Sequence, residues 1–148
     1  MRQVWIGLIS ALLIVPAWAR TEQQRDGCSL TNPASDQIIT SCTALIDSGH
    51  ASRADLAMGF NNRGVASKRK GLYDQAFADF TQAIAPKPDY AHAFAARALS
   101  HHKKGEDVRA LPDADRAVTL APRIALYLNM RAEFYERLGR RVQAVADD

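Results

Sequence analysis

Apolar residues recur every three or four positions over most of the chain, and glycine or proline separates one such stretch from the next. This spacing aligns apolar side chains on one face of an α-helix, while glycine and proline are typical of helix ends. The pattern therefore predicts an all-α protein. The predicted helices span about residues 36–47, 53–70, 73–84, 89–104, 107–120, 123–138 and 141–148.

The predicted helices from residue 53 onward repeat with a period of 34 residues. The matching positions are Gly71, Gly105 and Gly139; Ala76, Ala110 and Ala144; Ala83 and Ala117; and Pro88 and Pro122. Each unit contains a leading and a trailing helix, which cannot bury their apolar faces alone, so successive units must stack. Because Pro112 lacks a backbone N–H and crowds the preceding turn, we expect the helix at 107–120 to begin late, near Leu111, or to kink.

The order of small, glycine, aromatic, alanine and proline residues in each unit resembles the tetratricopeptide repeat (TPR) family. The residues that carry the resemblance are Gly64, Tyr73, Ala76, Phe80, Ala83 and Pro88; Ala98, Gly105, Ala110, Ala117 and Pro122; and Ala132, Tyr135, Gly139 and Ala144. The resemblance implies an α-solenoid of stacked antiparallel helix pairs, with about 2.5–3 repeats plus an N-terminal helix. The repeats would lie at about 57–90, 91–124 and 125–148, within a repeat domain spanning 36–148.

The first nineteen residues form a separate segment. Arg2 precedes an uncharged, mostly apolar run at 4–15, and residues 17–19 (Ala-Trp-Ala) fit a cleavage site. The run is shorter than the roughly 20 apolar residues that span a bilayer, so we interpret residues 1–19 as a cleaved secretory signal peptide. An uncleaved anchor is the alternative. Cleavage would leave no stable membrane span and a periplasmic or secreted mature protein.

The chain contains two cysteines, Cys28 and Cys42. In an oxidising compartment a disulfide between them is the default. It would close a loop of 15 residues, which the chain-entropy model values at about 3 kcal/mol. It would hold a loose N-terminal extension, residues 20–35, against the helix at 36–47. A redox pair or two free thiols are the alternatives, although the spacing is not C-x-x-C. The pattern resembles exported bacterial TPR proteins.

The clearest charge regularity is a repeated pairing of arginine with aspartate. Arginines at 34-residue intervals are each followed, 16 residues later, by an aspartate: Arg63 and Asp79, Arg97 and Asp113, Arg131 and Asp147. Because the acid repeats with the base, we expect structural ion pairs between helices rather than a ladder of arginines for acidic ligands. The net charge is +3, or +2 after signal removal, and does not indicate nucleic-acid binding.

Motifs for catalysis are missing from the sequence, which contains no G-x-S-x-G, H-E-x-x-H or P-loop. His92, His101 and His102 lack the spacing of three or four residues that aligns metal ligands on a helix. We therefore expect no enzymatic activity, no metal and no cofactor.

The resemblance implies that the leading helices line a concave, peptide-binding face. The predicted binding residues are Asn61, Asn62, Val65, Arg69, His92, Leu99, Lys103, Asn129 and Arg137, and Lys68, Ala95, Ala96, His102, Leu126, Met130 and Glu133 share that face. Side-chain amides can pair with a peptide backbone, and small residues leave room for its side chains. An ordinary solvated face is the alternative. Ala95, Ala96 and Leu126 stand where the family's carboxylate clamp needs polar groups, so we do not predict that clamp.

These patterns favour a non-enzymatic, exported adaptor that binds a protein or peptide partner. The first alternative is a self-associating envelope protein joined through its C-terminal helix, with Val142, Val145 and Ala146 as the apolar seam. The second is an electrostatic binder of an anionic envelope polymer, which would use the basic stretches at 68–70 and 101–104.

Overall fold

The computed structural model describes residues 16–31, 34–140 and 143–144. Within these ranges there are seven α-helices and no strands. The helices are α1 (Ala17–Gly27), α2 (Ser35–Asp47), α3 (Arg53–Arg69), α4 (Tyr73–Ile84), α5 (Ala91–Lys103), α6 (Asp107–Leu120) and α7 (Ala125–Arg137). Most of the predicted signal peptide and of the helix at 141–148 lies outside the described residues. No described helix combines the length and the apolar character needed to cross a membrane.

Short connections reverse the chain after each helix, so that α1 and α2, α3 and α4, and α5 and α6 form antiparallel pairs. The pairs stack because α2 also packs on α3, α4 on α5 and α6 on α7. The buried core follows this order in three clusters. They centre on Cys28 and Cys42 between α1, α2 and α3, on Phe80 beside α3 and α5, and on Phe134 among α5, α6 and α7. The predicted α-solenoid is confirmed.

The repeated glycines end the leading helices. Gly71, Gly105 and Gly139 each follow such a helix, at φ of 77°, 77° and 71°. Glycine adopts this left-handed conformation without a steric penalty. The next amide then reaches back into the helix, as the Leu72 N–H does to the Ser67 carbonyl at 3.0 Å. This C-terminal cap stops the helix and turns the chain toward its trailing partner.

Gly64 lets α3 approach α4 closely. A Cβ at this position would lie 2.7 Å from Cε1 of Phe80, whose side chain is fully buried. One period later, Ala98 and Ala114 occupy the equivalent positions, and both are buried in the cluster of α5, α6 and α7. The first unit therefore pairs a glycine with a large ring, whereas the second uses two small residues.

Arg63 joins two successive helix pairs. Its guanidinium donates to both oxygens of Asp79 on α4, with Nη2–Oδ1 of 2.7 Å and Nε–Oδ2 of 3.0 Å. Its Nη1 donates to Thr43 Oγ1 on α2 at 3.0 Å. Arg97 makes the equivalent contact with Thr81 Oγ1 at 3.2 Å. Each arginine thus contacts the trailing helix of its own unit and that of the unit before.

Arg97 also binds Asp113 of α6 in a two-point contact, with Nε–Oδ2 and Nη2–Oδ1 both 2.7 Å. In the third unit, Arg131 Nη1 donates to Asp115 Oδ1 at 3.1 Å. Asp115 occupies the place that threonines hold in the earlier units. The predicted partner of Arg131, Asp147, lies outside the described residues.

A second set of ion pairs connects neighbouring units, and the sequence analysis does not predict it. The pairs are Lys70 with Asp36, Lys104 with Asp74 (Nζ–Oδ1 2.6 Å) and Arg137 with Asp107 (Nε–Oδ2 2.8 Å). Each acid is in the first turn of a trailing helix, and each base is at or just after the end of the next leading helix. Both charges therefore also complement the dipoles of their helices.

Residues 20–35 are not the loose extension that the sequence predicts, because residues up to Gly27 form α1. This helix is mostly polar and has no apolar period of its own. A disulfide between Cys28 and Cys42 links its C-terminal end to α2. Asn62 Nδ2 on α3 donates to the Cys28 carbonyl at 2.8 Å. These contacts complete an additional helix pair before the three repeats.

The predicted late start of α6 is wrong, because the helix begins at Asp107 and contains Pro112. Pro112 is exposed, so its ring faces away from the core. The carbonyl that loses a partner belongs to Val108, a residue that is 66% exposed in the first turn. Solvent can satisfy that carbonyl, which reduces the penalty of a proline inside the helix.

Candidate functional site

A cavity of about 220 Å³ opens between α5 and α7, with one residue of α3 at its edge. It is lined by Lys68; by His92, Ala95, Ala96 and Leu99; and by Leu126, Tyr127, Asn129, Met130 and Glu133. All these residues belong to the leading helices of the three units. The cavity is therefore part of the face on which the sequence predicts peptide binding.

The lining residues of α5 and α7 occupy equivalent places in the repeat. His92, Ala95, Ala96 and Leu99 are followed 34 residues later by Leu126, Asn129, Met130 and Glu133. Steps of three and four residues align each set on one helix face. Ala95 and Ala96 are 4% and 3% exposed, and their small side chains leave space open between the two helices.

The walls of this space are mainly apolar. Leu99 and Met130 lie on opposite helices, and Leu126, which is 66% exposed, stands at the opening. Tyr127 is buried beside them, and burial raises the pKa of its hydroxyl. A concave apolar surface with a few polar groups is typical of ligand sites in proteins.

Positive charge gathers at the α3 end of the cavity. Burial, followed by the nearby charges of Arg69 and Lys103, lowers the pKa of the half-buried Lys68. Partial burial and Lys68 likewise lower the pKa of His92, so its imidazole is neutral at physiological pH. Across the described ranges, none of the three cations has a carboxylate partner. This end therefore offers unbalanced positive charge and a neutral imidazole.

Glu133, on the α7 wall of the cavity, belongs to a network of charged side chains. His102 Nδ1 lies 2.5 Å from Asp107 Oδ1, its Nε2 lies 3.6 Å from Glu133 Oε1, and its ring stacks on Phe134 at 5.0 Å. Burial acts to raise the pKa of Asp107, but hydrogen bonds from Arg137 and His102 outweigh burial and lower it. The network joins α5, α6 and α7 beside the cavity.

Three of the predicted binding residues, His92, Leu99 and Asn129, line the cavity. Arg69 and Lys103 are exposed near Lys68.

Val65 and Arg137 have other surroundings. Val65 packs against the core cluster of Phe80, and Arg137 is bound to Asp107.

The predicted role of Asn61 and Asn62 in ligand binding is not supported, because their side chains are only 1% and 7% exposed. Asn62 donates to the Cys28 carbonyl, and Asn61 Nδ2 donates to Asn62 Oδ1 at 3.1 Å. They help to join α3 to the end of α1. The sequence could not show this, since α1 lies outside the 34-residue period.

Tyr127 is the lining residue that sequence reasoning misses. Its equivalent in α5 is Ala93, which is fully buried, so the repeat register assigns this position to the core. The size of the tyrosine side chain brings it to the cavity wall, and the periodicity gives no signal of that.

No protein-family model and no curated protein matches this sequence. Solved structures do resemble it. The crystal structure of MamA superposes with a TM-score of 0.75 at 18% identity, covering 88% of this chain and 73% of that one. A tetratricopeptide repeat protein from Parabacteroides merdae ATCC 43184 gives a TM-score of 0.74 at 21% identity, over 88% of this chain and 50% of that protein.

A third resemblance is to the second TPR of Spaghetti (RPAP3), a structure bound to the HSP90 peptide SRMEEVD. Its TM-score is 0.60 at 25% identity, covering 62% of this chain and 85% of that one. Three observations indicate the same fold: the stacked helix pairs, the 34-residue period and the similarity to these structures. The chain therefore has the tetratricopeptide-repeat fold.

Proposed function

We propose that the protein is a non-enzymatic adaptor that binds a segment of a protein or peptide partner in the cavity between α5 and α7. The observation that carries this proposal is the cavity itself, which is open, mainly apolar and built by equivalent positions of two repeats. Peptide binding by a structure of similar fold, RPAP3 with its HSP90 peptide, supports it.

The polar groups at the cavity suit an extended backbone. Asn129 is exposed and can both donate to a peptide carbonyl and accept from a peptide N–H. The neutral imidazole of His92 offers one donor and one acceptor nearby. Main-chain hydrogen bonds with side-chain pockets between them are a common way to bind peptides.

We further propose that the adaptor acts outside the cytoplasm. The N-terminal apolar run and cleavage site support export, and the disulfide between Cys28 and Cys42 supports an oxidising compartment. Cleavage after Ala19 would remove only the first three residues of α1.

Two matched substitutions test the cavity. Leu126 and Val108 are both 66% exposed, but only Leu126 lines the cavity. In quantitative affinity capture from extracts of the source cells, Leu126→Glu should lose the partners that the wild-type protein retains, because it places a charge at an apolar opening. Val108→Glu should retain them. Equal retention by both variants would contradict binding in this cavity.

Self-association is the alternative function. Its predicted seam, Val142, Val145 and Ala146, lies outside the described residues, so the cavity has the stronger support. Light scattering separates the two ideas, because self-association requires a mass that rises with protein concentration and falls when Val142 is replaced by Glu.

A further inference from the structure

The charges at the ends of the leading helices fall into two groups. Lys70, Lys104 and Arg137 are bound to aspartates of the preceding units. Lys68, Arg69 and Lys103 have no such partner within the part of the chain that the structure describes. The unpaired group stands at one end of the cavity, where Lys68 is a lining residue.

We propose that the cavity recognises an extended acidic peptide in which an Asp or Glu carboxylate binds Lys68 and an adjacent aliphatic side chain enters the space between α5 and α7. This inference rests on the proposed adaptor function and specifies the partner's chemistry.

The carboxylate is inferred from the position of Lys68, which lines the cavity and has no carboxylate partner within the described residues. Its ammonium group is half-buried, has lost part of its hydration and is further disfavoured by Arg69 and Lys103, so its pKa is lowered. A peptide carboxylate would accept a charge-assisted hydrogen bond from the ammonium and offset the repulsion among the three cations. The same carboxylate would return the pKa of His92 toward its usual value, since Lys68 is one cause of its decrease.

The aliphatic side chain is inferred from the walls of the cavity. Ala95 and Ala96 create the space, and Leu99, Leu126 and Met130 surround it. A methionine side chain has three rotatable bonds, so Met130 can adjust to branched or linear aliphatic groups. An aliphatic side chain that fills this apolar space of about 220 Å³ removes its own surface and that of the cavity wall from water, which favours binding.

Glu133 makes the charge on the α7 wall of the cavity differ from the charge beside Lys68. It lies on the α7 wall, with 57% of its side chain exposed. An acidic residue placed there would meet a like charge, whereas one placed beside Lys68 would meet three cations. The charges therefore favour one orientation of an acidic peptide and disfavour its reverse.

The test uses selection from a displayed library of random peptides on the oxidised, mature protein. Three proteins are compared: wild type, Lys68→Gln and Lys87→Gln. The control removes the same charge from a loop lysine that does not line the cavity. Circular dichroism and thermal unfolding verify that both variants fold, which is expected because both lysines are partly exposed.

Peptides selected on wild type and on Lys87→Gln should carry Asp or Glu next to Leu, Ile or Met. Selection on Lys68→Gln should keep the aliphatic residue and lose the acidic preference. For a peptide selected on wild type, replacing its acid by the amide should weaken binding about tenfold to wild type and much less to Lys68→Gln.

Three outcomes would overturn the inference, and they differ in their consequences. Selected peptides without an acidic preference would refute the acidic ligand, and an acidic preference retained by Lys68→Gln would refute binding of the carboxylate by Lys68. Either outcome leaves the adaptor function standing. If no peptide is selected on any of the three proteins, the adaptor function fails as well.

Discussion

Two glycines of α3 meet different neighbours. A Cβ on Gly64 would lie 2.7 Å from Cε1 of Phe80, whereas a Cβ on Gly59 would lie 3.2 Å from Cγ1 of Ile46. Phe80 is fully buried and belongs to the core cluster that includes Ala96 of α5, while Ile46 is partly exposed and can shift. The first glycine is required by packing, and the second is not.

We expect Gly64→Ala to destabilise the protein by about 1–2 kcal/mol relative to Gly59→Ala, because overpacking against Phe80 exceeds the gain in helix propensity that both substitutions share. Urea unfolding of the two variants measures the difference in free energy. Equal stabilities would show that α3 and α4 can separate without penalty at this point.

The guanidinium of Arg97 donates hydrogen bonds to Asp113 on α6 and to Thr81 on α4. We expect Arg97→Lys to lower the free energy of unfolding by about 1–2 kcal/mol, because a lysine keeps the charge but cannot make the two-point contact with Asp113 and also reach Thr81. Arg53→Lys is the matched control, since Arg53 is exposed and has no partner among the described residues. If both variants are as stable as wild type, Arg97 does not join the units energetically.

Local sequence signals determine where each helix begins and ends, whereas contacts between residues far apart in the sequence determine which helices pack together. The apolar period and the repeated glycines predict α2 to α7 within a few residues, because they report local backbone geometry. The 16-residue spacing likewise reveals Arg63 with Asp79, because acid and base repeat together. The pairs of Lys104 and Arg137 with first-turn aspartates were not apparent, since they connect different units.

The cavity was only partly predictable. The repeat register identifies the leading-helix face and so includes His92, Leu99 and Asn129. It fails at Asn61 and Asn62 because Asn62 donates to the carbonyl of Cys28, just after α1, and Asn61 donates to Asn62, so both side chains are buried. The 34-residue repeat pattern cannot predict contacts with α1, because α1 is not part of the repeats.

Acid pH should weaken the connection between α5, α6 and α7. A hydrogen bond with His101 lowers the pKa of Glu106, and hydrogen bonds from Arg137 and His102 lower that of Asp107 against the effect of burial. Because both folded-state pKa values lie below the unfolded ones, the stabilisation from these two carboxylates is complete above about pH 5 and is lost as the pH falls through the folded values.

We therefore expect the free energy of unfolding to fall as the pH drops below about 5, and to fall less steeply in Asp107→Asn, which no longer binds a proton at this position. Denaturant unfolding at several pH values measures the two slopes. Identical slopes would show that Asp107 carries no pH-dependent part of the stability.

The disulfide holds α1 in place. Removing it by Cys28→Ser with Cys42→Ser should lower stability by about 3 kcal/mol, because the unfolded chain regains the freedom of the closed loop. Amide hydrogen exchange should accelerate in α1 before any other helix. The wild-type protein in reductant should behave like the double variant, and protection of α1 under both conditions would contradict this role.

Export with cleavage after Ala19 would change the fluorescence of the protein. Both tryptophans, Trp5 and Trp18, precede the proposed cleavage point. Protein recovered from its native compartment should therefore begin at Arg20 and show tyrosine emission without an indole contribution. Tryptophan emission from the recovered protein would mean that cleavage does not occur after Ala19.

The disulfide between Cys28 and Cys42 also affects how the stacked helices respond to a stretching force. A pull applied to the chain before Cys28 is transmitted through the two sulfurs directly to α2, so the residues between the cysteines bear no load. The other units are connected by the backbone and by non-covalent contacts, with no second disulfide in the described part of the chain. Under a stretching force, the segment from Cys28 to Cys42 should therefore keep its length, whereas α1 and the repeats, which lie outside the closed loop, can be extended.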